Sequence, residues 1–130
     1  MSSFPSGAVA ALVTFLVLDG VWLGLIARHF YKSRLGGLLK SRPNLALAGF
    51  FYVLHVIGLV VFALPQAATV TEAVLFGGLF GVCVYSAYDL TNLATIKGWP
   101  VSVSLVDLAW GTLLSSIATV AAFLAGNAPA

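Results

Sequence analysis

Four stretches of this chain are each long and apolar enough to cross a bilayer, and that constrains the fold more than any other feature. They run from about Gly7 to Phe30, Leu45 to Leu64, Thr71 to Ala94 and Val101 to Leu124. A hydrocarbon core of about 30 Å takes about 20 residues of helix. No water is present there to bond free N–H and C=O groups, so a spanning run of this length must satisfy its backbone internally. The expectation is all-α: a four-transmembrane-helix bundle forming a single integral membrane domain over residues 1–130. Composition agrees, with 61% of residues hydrophobic and 8% charged, where a soluble domain carries about 25% charged residues. No basic segment precedes the first apolar run and no small-residue cleavage site follows it. That run therefore reads as a retained helix and not as a cleaved signal peptide.

The connections differ in charge. Loop one, Arg28 to Asn44, holds Arg28, Lys32, Arg34, Lys40 and Arg42, and loop three, Thr95 to Pro100, holds Lys97. Loop two, around Pro65-Gln66, and both tails have no Lys or Arg. All six basic residues thus belong at one end of a double hairpin. By the positive-inside rule that end is cytoplasmic and both termini face outward. The plainer reading of these six is a topology signal. The sharper one is a site for anionic lipid head groups, each basic residue being worth about 1 kcal/mol near the surface. Phe30, Tyr31 and Trp99 sit where interface anchors are expected. Leu35, Leu38 and Leu39 among the basic residues suggest a short surface helix in loop one, broken near Gly36-Gly37.

Three of the four acidic residues, Asp19, Asp89 and Asp107, lie inside the spanning runs. An aspartate at a helix centre costs about 2.5–3.5 kcal/mol on insertion scales, where a Leu or Phe returns only about 0.3–0.6 kcal/mol. Such residues face protein or a polar cavity, with a partner. Helical spacing sorts the remaining polar and small residues into seams. Run three offers Gly78, Gly81, Tyr85, Tyr88 and Asn92 with Asp89 beside them, and Gly77 and Gly81 form a Gly-x-x-x-Gly pair. Run four offers Ser104, Asp107, Gly111, Ser115 and Ala118, and run two offers Asn44, Ala48, Tyr52, His55 and Gly58. Run one offers Asp19 and Trp22, with Gly20 and Gly24 on a neighbouring face. Asp19-x-x-Trp22 and Asp107-x-x-Trp110 echo each other in helices expected to run antiparallel. At ~1.5 Å rise per residue, Asp19 and His55 both fall near mid-span and are expected to pair. Asp89 and Asp107 are expected to meet nearer the basic end, sharing a mouth with Thr91, Asn92 and Lys97. A purely structural polar network is the bland alternative.

The candidate polar pocket is therefore Asp19, Trp22, Tyr52, His55, Tyr85, Tyr88, Asp89, Thr91, Asn92, Asp107 and Trp110. Cys83 is the only cysteine, so no intrachain disulfide forms, and it reads as a small packing residue. With His29 and His55 it makes no metal-ligand pattern. No cofactor is implied, and no nucleic-acid partner is expected.

Asp19-x-x-Trp22, Phe51-Tyr52, Tyr88-Asp89-Leu90-Thr91-Asn92, Trp99-Pro100 and Asp107-x-x-Trp110-Gly111 together resemble the domain-of-unknown-function family DUF2177, small bacterial membrane proteins. The resemblance spans nearly the whole chain. It implies a four-helix protein of the bacterial inner membrane and carries over no catalytic or binding role. Three classes of function stay open. One is binding, or helping to modify, a lipid or amphiphile, with Asp89, Asp107 and His55 as acid–base candidates. The second is a proton-coupled small transporter working as a homodimer, with Asp19 alternating between proton and cation. The third is a structural or assembly subunit of a membrane complex.

Overall fold

The computed structural model describes residues 3–126, and side chains from Pro5 onward. Helix α1 (Ser3–Val21) runs on through a π-helical turn, Trp22–Ile26. A short α2 (Arg28–Leu35) ends in a 3-10 turn, Gly36–Leu38. Helix α3 (Leu45–Gly58) continues through a π-helical turn, Leu59–Ala63, and a 3-10 turn, Leu64–Gln66. Helices α4 (Val70–Thr95) and α5 (Val101–Gly126) are unbroken. Four segments are long and apolar enough to span, Pro5–Ile26, Leu45–Gln66, Val70–Thr95 and Val101–Gly126. The described residues contain helices and no strand, and the protein is a four-span membrane protein.

Local chemistry sets the helix ends. The Asn44 side chain accepts the Leu47 N–H at 3.1 Å and caps α3. At α4, Thr69 Oγ1 accepts the Glu72 N–H at 3.1 Å while Glu72 Oε1 accepts the Ala68 N–H at 3.0 Å, close to the reciprocal arrangement of a capping box. Gly98, at φ 79°, makes the tight turn between α4 and α5, a backbone conformation open to glycine and costly for most other residues. Gly36, at φ 45°, stops α2, where the sequence expected a break.

Two expectations need correction. The first span ends at Ile26 and not at Phe30. Ala27 leaves the helix at φ −102°, ψ 2°, and Arg28, His29 and Phe30 start α2. Charge explains this, since the chain turns along the interface where its cationic residues begin. Cys83 is exposed and packs in no core. It lies two residues beyond Gly81, about 200° around the helix, so it points away from the glycine seam.

The bundle is built around α5. Along α4, a Cβ on Gly77 would lie 2.9 Å from the Ser115 carbonyl, and one on Gly81 2.8 Å from the Gly111 carbonyl. Only glycine lets these two backbones approach so closely, which is how membrane helices gain packing without a hydrophobic driving force. Ser116 Oγ donates to the Val74 carbonyl at 2.8 Å across the same contact. Helix α1 packs antiparallel on another side of α5, with Gly7 against Ala122. Helix α3 lies on α1, and its contact with α4 is concentrated in the Leu59–Gln66 half. There Gly58 faces the Phe80 ring, where a Cβ would lie 2.5 Å from the ring.

The ends differ in character. Ala11, Phe15, Leu59, Ala63, Leu114 and Ala122 form a dry core toward the end that carries the termini. Toward the basic end the interior becomes polar, with Asp19, Asp89 and Ser104 buried. Large apolar side chains such as Val13, Leu25, Phe50, Phe62 and Leu105 lie on the outside, as expected where the surrounding solvent is lipid.

Candidate functional site

Asp19, on α1, is 5% exposed and receives two donors. Tyr52 Oη donates to its Oδ2 at 2.5 Å, and Trp110 Nε1 to its Oδ1 at 3.0 Å. The expected Asp19–His55 pair does not form. The Phe15 ring, one turn before Asp19, packs against both Tyr52 and His55, with centroids at 5.4 and 5.0 Å. His55 turns instead toward α5, where its Nε2 lies 2.9 Å from Ser115 Oγ. Phe51, Phe80 and Tyr85 complete an aromatic box around it at 5.2–5.8 Å. A Ser–His contact is the geometry of an activated nucleophile. Here Ser115 is 0% and His55 3% exposed, and neither lines either of the two cavities described below, so the pair ties α3 to α5.

The two Asp-x-x-Trp elements exchange partners. Trp22 and Trp110 stack at 4.5 Å with an 11° interplanar angle. Trp110 bonds Asp19 on the opposite helix. Trp22 Nε1 donates to Tyr31 Oη at 3.3 Å, and Tyr31 Oη donates onward to Asp107 Oδ1 at 2.9 Å. Each aspartate thus takes a tyrosine hydroxyl, Tyr52 or Tyr31, and is tied directly or in one relay to the tryptophan of the other helix. The sequence echo becomes a local reciprocal arrangement between antiparallel helices.

Tyr31 is the residue that sequence reasoning missed. It was expected at the membrane interface, yet it folds inward over the basic end of the bundle. Its position directly after the α1 span, among basic residues, was the available signal. Burial, and then the Asp107 carboxylate beside it, push its phenol above the ordinary value.

Asp89 and Asp107 meet as expected, with their carboxyl groups within hydrogen-bonding reach. Asp89 is 0% exposed, and neither of its oxygens has a donor among the described residues. A buried carboxyl group without a partner is costly. Ser104 fixes the backbone here. Its Oγ donates to the Asp89 carbonyl at 2.6 Å and accepts Trp99 Nε1 at 3.0 Å, which draws the interface tryptophan onto the site.

Two cavities reach Asp107. The first, about 490 Å³, lies under loop one and includes Arg28, Lys32, Lys40, Tyr31, Tyr88 and Asp107 in its wall. The second, about 390 Å³, is lined by Phe51, Val84, Tyr85, Tyr88 and Asp107. It lies between α3 and α4, in the half where those helices make little contact. Asp107 and Tyr88 belong to both walls. Gly111 makes room for Tyr85, whose ring occupies the place a Cβ would take.

The remaining candidates divide. Asn92 sits beside Tyr88. Thr91 is exposed, and its carbonyl accepts the Thr95 hydroxyl, so it does not join the acid pair. Of the six basic residues, Arg28, Lys32 and Lys40 line the first cavity. Arg34 stacks over Phe30 at 4.3 Å and donates to Ser102 Oγ at 2.9 Å, fastening loop one to the start of α5. Arg42 and Lys97 are exposed and line neither cavity. Lys97 therefore stands apart from the Asp89–Asp107 mouth it was expected to share. No group of three or more His, Cys, Asp or Glu suited to a metal ion occurs among the described residues.

A family model described as a predicted membrane protein, DUF2177, matches residues 7–124. No curated protein and no solved structure matches. With its motifs placed on four membrane-spanning helices, the chain belongs to the DUF2177 family of predicted membrane proteins.

Proposed function

We propose that this protein binds an anionic amphiphile taken laterally from the cytoplasmic leaflet of a bacterial inner membrane. Loops one and three face the cytoplasm in this reading, and both termini face the other side. The observation that carries it is the meeting of a basic cavity and an apolar one at Asp107 and Tyr88. Arg28, Lys32 and Lys40 offer charge for a head group at interface depth. The apolar cavity offers Phe51, Val84 and Tyr85 to a hydrocarbon chain, at a place where α3 and α4 part toward lipid. Both volumes fall within the range of about 300–1,000 Å³ usual for small-molecule sites. The transporter reading draws less support, because Asp19 is buried and already holds Tyr52 and Trp110 as donors.

A photoactivatable alkyl phosphate in vesicles containing the full chain tests the proposal. Label is expected on peptides bearing Phe51 and Val84, and unlabelled alkyl phosphate should compete it away. Label spread evenly over lipid-facing residues such as Val13 and Phe62 would reject the site. Cysteine introduced at Leu38 tests sidedness, since it should react with an impermeant maleimide only from the cytoplasmic side.

A further inference from the structure

The geometry points to a narrower ligand class: a single-chain amphiphile with an anionic head group and a hydrogen-bond donor, hydroxyl or ammonium, between head and chain. This inference rests on the amphiphile-binding reading above. It starts from what stands at the junction of the two cavities. A ligand with its head among Arg28, Lys32 and Lys40 and its tail beside Phe51 and Val84 must pass Asp107 and Tyr88, the residues common to both walls. Asp107 uses one oxygen to accept Tyr31 and faces Asp89, whose two buried oxygens have no donor among the described residues. Beyond the Tyr31 bond, the Asp107 carboxyl keeps acceptor capacity. Asp107, the carboxyl that reaches both cavity walls with Asp89 behind it, is matched by a ligand group that donates. It is poorly matched by a plain methylene, which would desolvate Asp107 and give it no bond.

The single chain follows from the second cavity. Its wall is one strip of four side chains, Phe51, Val84, Tyr85 and Tyr88, beyond the shared Asp107. A second chain has no matching groove on the walls described. The ammonium and hydroxyl versions share one chemistry, donation to the acid pair, and differ in charge.

The test is competitive native mass spectrometry of the full chain in a mild detergent with four phosphate-headed probes. These are a 1-acylglycerol 3-phosphate, a sphingoid-base 1-phosphate, the acylated propanediol phosphate that lacks the free hydroxyl, and a diacyl phosphatidate. The first two should be retained at least about tenfold more than the deoxy probe, the factor expected when a bond to a charged group is lost. The diacyl probe should be retained least. Retention of the acylglycerol probe above the deoxy probe shows that a hydroxyl suffices as donor, and the sphingoid probe, which carries both an ammonium and a hydroxyl, should be retained at least as well. Equal retention of the deoxy probe overturns the junction donor, and equal retention of the diacyl probe overturns the single chain. Either result leaves the amphiphile-binding reading intact, whereas retention of none of the four overturns that reading itself. Asp89→Asn supplies a second check on folded protein. It should narrow the discrimination against the deoxy probe, and a discrimination left as wide as that of the wild type overturns the junction donor.

Discussion

Replacing Tyr52 by Phe removes one donor from Asp19 and little else. The ring keeps its packing against Phe15, with centroids 5.4 Å apart, and only the 2.5 Å bond to Asp19 Oδ2 is lost. Two magnitudes compete. A bond to a charged group contributes about 1.5–3 kcal/mol in water-soluble proteins, whereas side-chain bonds inside membranes average about 0.6 and reach about 1.7 kcal/mol. The membrane scale governs, because an unfolded helix in lipid also finds partners for its polar groups. Its upper end applies here, because Asp19 is 5% exposed and water cannot replace the donor. Trp110 still bonds the other oxygen, which limits the damage. The expected loss is therefore about 1–1.7 kcal/mol, or about a five- to twentyfold fall in the folded-to-unfolded ratio. Reversible unfolding in mixed micelles, or steric trapping in bicelles, reads it directly. In an Asp19→Asn background the same substitution should cost less, with a coupling energy of about 1 kcal/mol. A Tyr52→Phe effect under about 0.3 kcal/mol, or additive single mutants, would refute the assignment of Asp19 as the anchor of this network.

Gly81→Ala should destabilise by about 1–3 kcal/mol in the same assay, since its Cβ would lie 2.8 Å from a backbone carbonyl that cannot move cheaply. Gly20→Ala and Gly24→Ala, with nothing within 4 Å, should be neutral or stabilising. Replacing Arg28, Lys32 and Lys40 together by Ala should weaken binding of an alkyl phosphate by about two decades, at about 1 kcal/mol each. Replacing Arg42 and Lys97 should leave that binding unchanged. The Tyr31 phenol is raised in the folded state above its ordinary value of 10.0, so above that pH the unfolded chain loses a proton that the folded one keeps. Stability from this group is complete below about pH 10 and falls as pH rises. Tyr31→Phe should therefore lose less stability than wild type between pH 10 and 11, measured as the difference between the two alkaline unfolding curves. Cys83, exposed on the face of a spanning helix, should react with a lipid-soluble maleimide and be spared by a charged one.

Which polar residues turn inward was legible in good part, and their pairing only for Asp89 and Asp107. Asp89 and Asp107 were expected together because both lie near the basic ends of helices joined by a six-residue turn, Thr95 to Pro100. A short connection fixes both neighbours and depth. Asp19 and His55 have matching depth as well, but depth is only one coordinate. Rotation about the helix axis, and the Phe15 ring that packs against His55, send His55 to Ser115 and leave Asp19 to Tyr52 and Trp110. Thr91 failed for the same reason, since its place in a motif said nothing of which way it points. Tyr31 was missed because an aromatic residue at the end of a span ordinarily anchors at the interface, and only the bend at Ala27 turns it over Asp107.

The sequence by itself determined the number of spans, the helical class and the end at which the charge collects. Those properties come from local, additive quantities: transfer energy per residue, helix rise, and the cost of an unbonded backbone in lipid. Tertiary structure alone decided the partner exchange across the stacked tryptophans, the parting of α3 from α4 in the half before Gly58, and the junction of a basic cavity with an apolar one at Asp107. Those depend on the order of helices around the bundle and the rotation of each. In a bilayer, small-residue contacts and hydrogen bonds set both, and a one-dimensional pattern of hydrophobicity records neither.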